Sequence, residues 1–253
     1  MSYQCLLLTV KIRVFLGDIF DPKSTAGAAI LKVRSKHHYV RTAMTEHPKT
    51  SAHLNEKTEK VPLKPLPMNQ YDMALVQSGF VGPIILQTKK CGINATEEEL
   101  GDYVYFWRVV GWCLGIRDEY NICGLGRKVA VNIAQEVLDT IIVPGLKNPK
   151  HNYTLLLRDF VKGMRLVNPG MNTAAIYRYI FPSMGLPSPK LKLSEWPFYV
   201  TTVITAWLEY HIPFCRWLIN MVYKVAIAFV IWIYSGSEKL CPWSKCKETK
   251  ITL

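Results

Sequence analysis

Two adjacent histidines lie between two arginines in the stretch VRSKHHYVR, residues 33–41. A neutral imidazole on a helix can ligate a metal ion or a haem iron, and a guanidinium group can hold an acidic group through two charge-assisted hydrogen bonds. Arg34 lies three residues before His37 and Arg41 lies four residues after it, so on a helix each is one turn away. The spacing therefore indicates that His37 ligates a metal or a haem iron, with Arg34 and Arg41 placed to bind acidic groups such as haem propionates.

The second histidine, His38, points about a quarter-turn away from His37, so only one of the two can lie at the centre of a given pocket. A zinc site built from both of them with His47 and His53 is the lowest-ranked alternative, because the spacing is not compact and a loop separates two of the ligands. An isolated histidine also occurs as an ordinary core or surface residue. Periodicity alone leaves that interpretation open for His37.

A helix over residues 24–44 is predicted to carry these side chains, because apolar positions recur there at helical spacing. The next stretch, residues 44–68, is rich in charge and proline, and we predict a long surface loop. A second helix is predicted from Asn69 to about residue 87, kinked or ended by Gly82-Pro83. Gln77 interrupts its apolar sequence, and its amide is predicted either to contact a ligand or to satisfy a backbone group.

A third helix is predicted to start at TEEEL, where Thr96 is the N-cap and Glu99 completes a capping box. Its broad apolar face must be buried against other elements. Further helices are predicted near residues 127–143, 153–167 and 172–181, and no strands alternate with them. We therefore predict an all-α fold, a multi-helix globular domain like the globins, with no parallel sheet to form a nucleotide-binding crevice.

The most apolar part of the chain is residues 198–234, and its second half from Pro213 is long enough to cross a bilayer. Arg216, Asn220 and Lys224 would each be costly near the centre of a membrane unless they faced protein. Two interpretations stay open for this part of the chain. One is a membrane helix over residues 213–234 followed by a basic tail, residues 235–253, and the other is two buried helices of a large α-helical domain.

Composition and charge narrow the possible function classes. The 253 residues carry a net charge of +12 and are 49% hydrophobic, which disfavours a disordered protein and suits an anionic partner. The lysines lie in loops and tails rather than on one face with aromatic platforms, so no nucleic-acid binding is predicted. Asn94 and Asn152 lie in glycosylation sequons, which weakly indicate a lumenal face. No protein partner is predicted.

Three motifs, in chain order, resemble those of a known family. The stretch VRSKHHYVR is similar to the R-x-x-H-x-x-V-R signature of the family that contains the ER-bound oxygenase mpaB and the latex-clearing rubber oxygenases, and the preceding DPKSTAGAAILK resembles the family's D-x-P-x-S approach. The stretch MNQYDMALVQSGFVG resembles its N-Q-x-D-M-A-x-x-Q-x-x-F helix. A third stretch, LGDYVYFWRVVGWCLGIRDEYNIC, resembles its H-or-Y-x-W-R-x-x-G-x-x-L-G-I-x-D-x-x-N segment. The resemblance spans residues 21–123.

By position, the resemblance implies a haem b protein in which His37 is the axial ligand of the iron. Arg34 or Arg41 then supports that ligand or the propionates, His38 is its neighbour, and Gln77 is a further candidate contact to the cofactor. The implied activity is the oxidation by dioxygen of an apolar substrate, with isoprenoids as the class that the resemblance suggests. The implied location is a membrane, with the endoplasmic reticulum as the family's named compartment.

The family also carries an upstream R-x-x-x-T motif near the haem, and this chain has no counterpart before Asp21, because Arg13 is followed by VFLG. We therefore expect residues 1–212 to be the family's catalytic domain without its N-terminal part. The missing motif also motivates an alternative, a non-catalytic relative that binds an apolar ligand or a membrane. The two hypotheses differ in one property, since only the oxygenase takes up haem when haem is supplied.

Overall fold

The part of the chain that can be described is helical. The computed structural model describes residues 17–46, 67–165 and 168–235, and no β-strand occurs in these ranges. The all-α, multi-helix globular fold is thereby confirmed, while its likeness to the globins stays a prediction. The α-helices within these ranges are α1 (Thr25–Glu46), α2 (Gln70–Leu86), α3 (Glu97–Cys113), α4 (Arg127–Val137), α5 (Val143–Lys147), α6 (His151–Met164), α7 (Thr173–Ile180), α8 (Trp196–His211) and α9 (Pro213–Ser235).

Polar side chains begin the three helices that carry the sequence motifs. Ser24 precedes α1, and its hydroxyl accepts a hydrogen bond from a backbone N–H of the first turn at 2.9 Å. Asn69 and Asp72 form a capping box at the start of α2. Thr96 and Glu99 form the predicted capping box at the start of α3. Each cap satisfies backbone donors that have no partner inside the helix, and so fixes where the helix begins.

Helix α1 packs against α3 and forms the first cluster of the hydrophobic core. Ala26, Ala29 and the fully buried Ile30 lie on its inner face, and Val110 and Cys113 are their buried partners on α3. The two alanines have little side-chain volume, so the larger side chains of Ile30 and Val110 fill the space between the helices. This contact fixes the orientation of the whole of α1, including the histidine pair in its middle.

Helices α2, α3 and α4 pack against one another and form the second core cluster. Its buried residues include Val81 and Ile85 of α2, Val104 of α3, and Ala130 and Ala134 of α4. Because α3 belongs to both clusters, it is the element that joins α1 to the rest of the helical core.

Pro83 lies inside α2 and does not end it. The helix continues to Leu86, close to the predicted end near residue 87, so of the two predicted effects of Gly82-Pro83, a kink or an end, the end is wrong. Pro83 has no N–H to donate to the carbonyl of Gly79, one turn before it, so the helix has one internal hydrogen bond fewer here. Tyr103 of α3 donates its hydroxyl hydrogen to the carbonyl of Phe80 at 3.2 Å. Burial raises the pKa of Tyr103 to about 12, so the hydroxyl remains a donor that ties α3 to α2 beside the proline.

The apolar C-terminal segment forms two helices, α8 and α9, that pack against each other. Ile212 lies between them in an extended conformation (φ −119°, ψ 103°), and Pro213 begins α9. A residue that precedes proline avoids the helical region, which explains the break.

Two helical segments are long and apolar enough to cross a membrane, Arg127–Lys147 and Pro213–Val230. The second was predicted from the sequence. The first was not; it joins α4 to α5 through a π-helical turn at Leu138–Ile142. Only 6% of Pro213–Val230 is buried, so the interpretation as two buried helices does not hold for α9.

Candidate functional site

His37 lies in the middle of α1 with its imidazole half-buried. Its Nδ1 atom is fully buried and has no hydrogen-bond partner in the part of the chain that the structure describes. Burial lowers the pKa of His37, and the nearby guanidinium of Arg41 lowers it further. Both effects disfavour the imidazolium, so the ring is neutral at physiological pH. A neutral imidazole with an unpaired buried nitrogen is the state that a metal ligand requires.

Arg41, one turn after His37, connects α1 to the start of α2. Its Nη2 donates to the carbonyl of Met68 at 2.7 Å and lies 3.9 Å from the sulfur of Met73. Its Nε is buried and lacks a partner among the described residues. Met68 itself has a positive φ of 54°, an uncommon conformation for a residue other than glycine. The guanidinium is therefore held beside His37 by one strong bond, with donor capacity left over.

Arg34, one turn before His37, faces a cavity at the C-terminal end of α3. The cavity has a volume of about 400 Å³, and its lining is Arg34, Trp112, Gly115, Ile116, Arg117 and Asp118. Nη1 of Arg34 lies 3.5 Å from the carbonyl of Cys113, and no carboxylate among the described residues pairs with it. The acidic neighbours are already engaged, since Asp118 lies 3.7 Å from Arg108 and Glu119 lies 3.0 Å from Arg117. Arg34 thus remains available to an acidic group of a ligand.

His38 is exposed, and its backbone carbonyl accepts the hydroxyl of Thr42 at 3.0 Å. His47 and His53 lie outside the described residues. Within the described ranges, no group of three or more His, Cys, Asp and Glu side chains lies together in a way that could hold a metal ion. The structure thus separates the two adjacent histidines by environment, with His37 facing inward and His38 facing solvent.

Gln77 is buried between α2 and α3, and its amide bonds to protein groups. Its Nε2 donates to the carbonyl of Trp107 at 2.9 Å and to Oδ1 of Asn121 at 3.0 Å. Its Oε1 accepts the backbone N–H of Ile122 at 3.3 Å. A Cβ at Gly111 would lie 2.5 Å from Nε2, so the glycine makes room for this network. The amide of Gln77 therefore forms hydrogen bonds with backbone groups and with Asn121. A contact between Gln77 and a cofactor stays a prediction.

Asn121 completes this network. Its Nδ2 donates to the carbonyl of Arg108 at 2.9 Å, and its Oδ1 also accepts the backbone N–H of Cys123 at 3.1 Å. Asn121 is buried directly after the short 3₁₀ turn Asp118–Tyr120. No local pattern could have identified its role, because Gln77 lies 44 residues before it in the chain.

A second cavity lies between the end of α2 and helices α7, α8 and α9. Its volume is about 330 Å³, and Ile180, Met184 and Ala206 contribute apolar parts of its wall. Burial raises the pKa of Glu209, which also lines it, while the cation of Arg216 acts in the opposite direction. His37 lines neither of these two cavities.

The residues on α1 fit the donor chemistry of a histidine-ligated haem. His37 supplies a neutral imidazole with a buried, unpaired nitrogen, and Arg34 and Arg41 supply guanidinium groups with unused donors on either side of it. Trp107 adds a buried indole N–H without a partner among the described residues, and its ring stacks on Phe80 at a centroid distance of 5.2 Å. His37, Arg34 and Arg41 form the candidate site, and no hydrogen bond or ring contact joins Phe80 or Trp107 to these three side chains among the described residues.

Comparison of the chain with protein-family models, with curated proteins and with solved structures gives no match. The resemblance to the family of mpaB and the rubber oxygenases therefore depends on the three sequence motifs alone.

Proposed function

We propose that this protein is a haem b-dependent oxygenase that uses dioxygen to oxidise an apolar, isoprenoid-like substrate. The observation that supports this proposal is the environment of His37. Its imidazole is neutral, its Nδ1 is buried without a partner, and it lies between two arginines that have spare donors. Leaving a buried polar atom unpaired costs roughly 1–3 kcal/mol, and ligation of an iron would remove that cost.

Each residue of the site has one task in this proposal. His37 holds the cofactor through one neutral nitrogen, and Arg41 keeps that nitrogen unprotonated. Arg34 and Arg41 bind the acidic side chains of the porphyrin through charge-assisted hydrogen bonds. The haem, when bound, supplies the dioxygen chemistry.

The proposed location is the membrane of the endoplasmic reticulum, and it derives from the family resemblance. The apolar, exposed helix α9 supports association with a membrane in general. Asn94 lies in a glycosylation sequon, but its Nδ2 donates to the carbonyl of Tyr210 at 3.3 Å, so it gives no support to a lumenal location.

The test is to express the chain in haem-replete cells, record its visible spectrum and count iron per chain. The oxygenase proposal predicts a Soret band and about one iron per chain, lost in His37→Ala and kept in His38→Ala. The second variant is a matched control, because it makes the same change at the exposed neighbour on the same helix. A colourless and iron-free wild-type protein, or equal loss in both variants, would contradict the proposal.

A second proposed function is a non-catalytic protein that binds an apolar ligand. The cavity beside Ile180, Met184 and Ala206 favours it, since apolar walls line a volume of about 330 Å³. This function predicts that a fluorescent fatty-acid analogue binds the haem-free chain and that Ala206→Trp, which fills the cavity, abolishes the binding. His37→Ala leaves the binding unchanged in this case.

A further inference from the structure

Helix α8 presents one apolar face outward. Its exposed large apolar residues are Trp196, Val200, Ile204 and Trp207. Their spacing of four, four and three residues places them on one side of the helix. Thr205 and Glu209 lie on the other side and line the second cavity. Trp207 is 55% exposed, so none of the described residues covers this face.

Helix α9 presents a longer apolar face in the same manner. Its exposed apolar residues include Phe214, Trp217, Met221, Val225 and Phe229, at spacings of three or four residues. Trp217 is 58% exposed and Val225 is 64% exposed. Because α8 and α9 pack against each other, the two faces belong to one helical hairpin. Contiguous apolar patches of this kind mark sites of interaction with a membrane or a partner.

In its first half, α9 is held to the body of the protein by two polar side chains, Arg216 and Tyr223. Near its start, Arg216 donates to the carbonyls of Glu209 at 2.9 Å, of Tyr210 at 3.4 Å and of Asn94 at 3.4 Å. Near its middle, the hydroxyl of Tyr223 accepts the Nδ2 of Asn168 at 3.2 Å. If α9 crossed a bilayer, its middle would lie in the hydrocarbon core. The polar groups of the protein body that bond to α9 would then also lie in or near the hydrocarbon, which is unfavourable.

The polar residues of α9 also argue against a helix that crosses the membrane. Arg216, Asn220 and Lys224 are spaced four residues apart; Arg216 and Asn220 lie away from the exposed apolar face, and Lys224 lies at its edge. At the centre of a bilayer, each charged side chain costs roughly 3 kcal/mol. In the plane of the membrane surface, the same residues remain in water or on protein while the apolar face enters the acyl region.

We infer that α8 and α9 form an in-plane membrane-binding hairpin, which inserts its outward apolar face into one leaflet of an anionic bilayer and does not cross it. The three exposed indoles, those of Trp196, Trp207 and Trp217, suit the boundary between headgroups and acyl chains. Lys190, Lys192 and Lys224 are exposed and add positive charge to a chain whose net charge is +12. That charge selects anionic lipid headgroups.

The experiment is flotation of the purified full chain with vesicles of phosphatidylcholine, with and without phosphatidylserine. The inference predicts binding to the vesicles that contain phosphatidylserine and release of the bound protein by alkaline carbonate. Val225→Glu weakens the binding roughly tenfold or more, because it places a charge on the inserted face. Asn220→Glu, which adds the same charge on the polar side of the same helix, has a much smaller effect. Equal circular dichroism spectra confirm that both variants fold.

Three results overturn the inference. Absence of vesicle binding would do so, and so would resistance to carbonate extraction, which indicates a spanning helix. The third is a wild-type oligomer that Val225→Glu converts to a monomer without vesicle binding, which would show that a second copy of the chain covers the face. This inference does not depend on haem binding, since the flotation assay works equally on haem-free protein, and the two proposals can therefore fail separately.

Discussion

At the scale of single residues, the two neighbouring histidines differ in their exposure to solvent. His37 is half-buried and His38 is exposed, because they lie on different faces of α1. The identity of the pair was visible in the sequence, but its environment was not.

The arginines on either side of the pair make contacts far along the chain, since Arg34 lies near the carbonyl of Cys113, 79 residues later, and Arg41 bonds to the carbonyl of Met68, 27 residues later. Likewise, the sequence left two roles open for Gln77, because its partners lie on a distant helix and turn.

The lowered pKa of His37 makes the stability of the protein depend on pH. The unfolded chain binds a proton to this residue near its ordinary pKa of 6.5, whereas the folded chain resists protonation. Stability is therefore complete above that value and is lost as the pH falls below it towards the folded-state pKa. We expect urea unfolding between about pH 7 and about pH 5 to show a decrease in the free energy of unfolding that is smaller in His37→Gln.

The control for this prediction is His38→Gln, which changes the exposed neighbour and should keep the full decrease. If His37→Gln and wild type lose the same free energy over this range, then the imidazole of His37 is not buried as described.

The buried amide network predicts a large cost for one substitution. Gln77→Leu leaves the carbonyl of Trp107, the amide of Asn121 and the N–H of Ile122 short of a partner. Each buried unpaired group costs roughly 1–3 kcal/mol, so we expect a loss of about 3 kcal/mol in the free energy of unfolding. Chemical denaturation measures it. Gln135→Leu, the same change at an exposed position of α4, should cost less than about 0.5 kcal/mol.

At the scale of elements, helix beginnings were predictable and some internal features were not. Capping residues act over three or four positions, so the start of α3 follows from Thr96 and Glu99 alone. The continuation of α2 through Pro83 depends on tertiary packing against α3 and α4, which overrides the local preference. The π-helical turn at Leu138–Ile142 has no pattern of its own in the sequence.

The cap of α3 gives a prediction at this scale. Thr96→Ala removes the side chain that accepts the N–H of Glu99 at 3.2 Å, and we expect a loss of about 1 kcal/mol in the free energy of unfolding. The backbone N–H of residue 96, which the variant keeps, is the main cause that lowers the pKa of Glu99, and the Thr96 hydroxyl is the second, so an NMR titration of Glu99 in the variant should show only a partial return towards its ordinary pKa.

Thr140→Ala serves as the control for the cap, because its hydroxyl bonds only to the carbonyl of Glu136 within the same turn. A Thr96→Ala protein with wild-type stability would show that packing alone, rather than the cap, fixes the start of α3.

At the scale of the whole molecule, the two proposals occupy different parts of the helical fold. The candidate haem site involves α1, α2 and α3, whereas the membrane-binding face belongs to α8 and α9. The effects of two substitutions are usually additive when the substituted residues are distant and share no contacts. His37→Ala should therefore leave vesicle binding unchanged, and Val225→Glu should leave haem content unchanged.

The most direct test of the central claim is chemical rescue of the axial ligand. The protein with His37→Gly is purified with haem and its visible spectrum is recorded before and after the addition of free imidazole. If His37 ligates the iron, the Soret band of the wild-type protein is lost or shifted in the variant, and imidazole restores it by entering the space that the side chain has left. A variant whose spectrum equals that of the wild type before any imidazole is added would contradict the account.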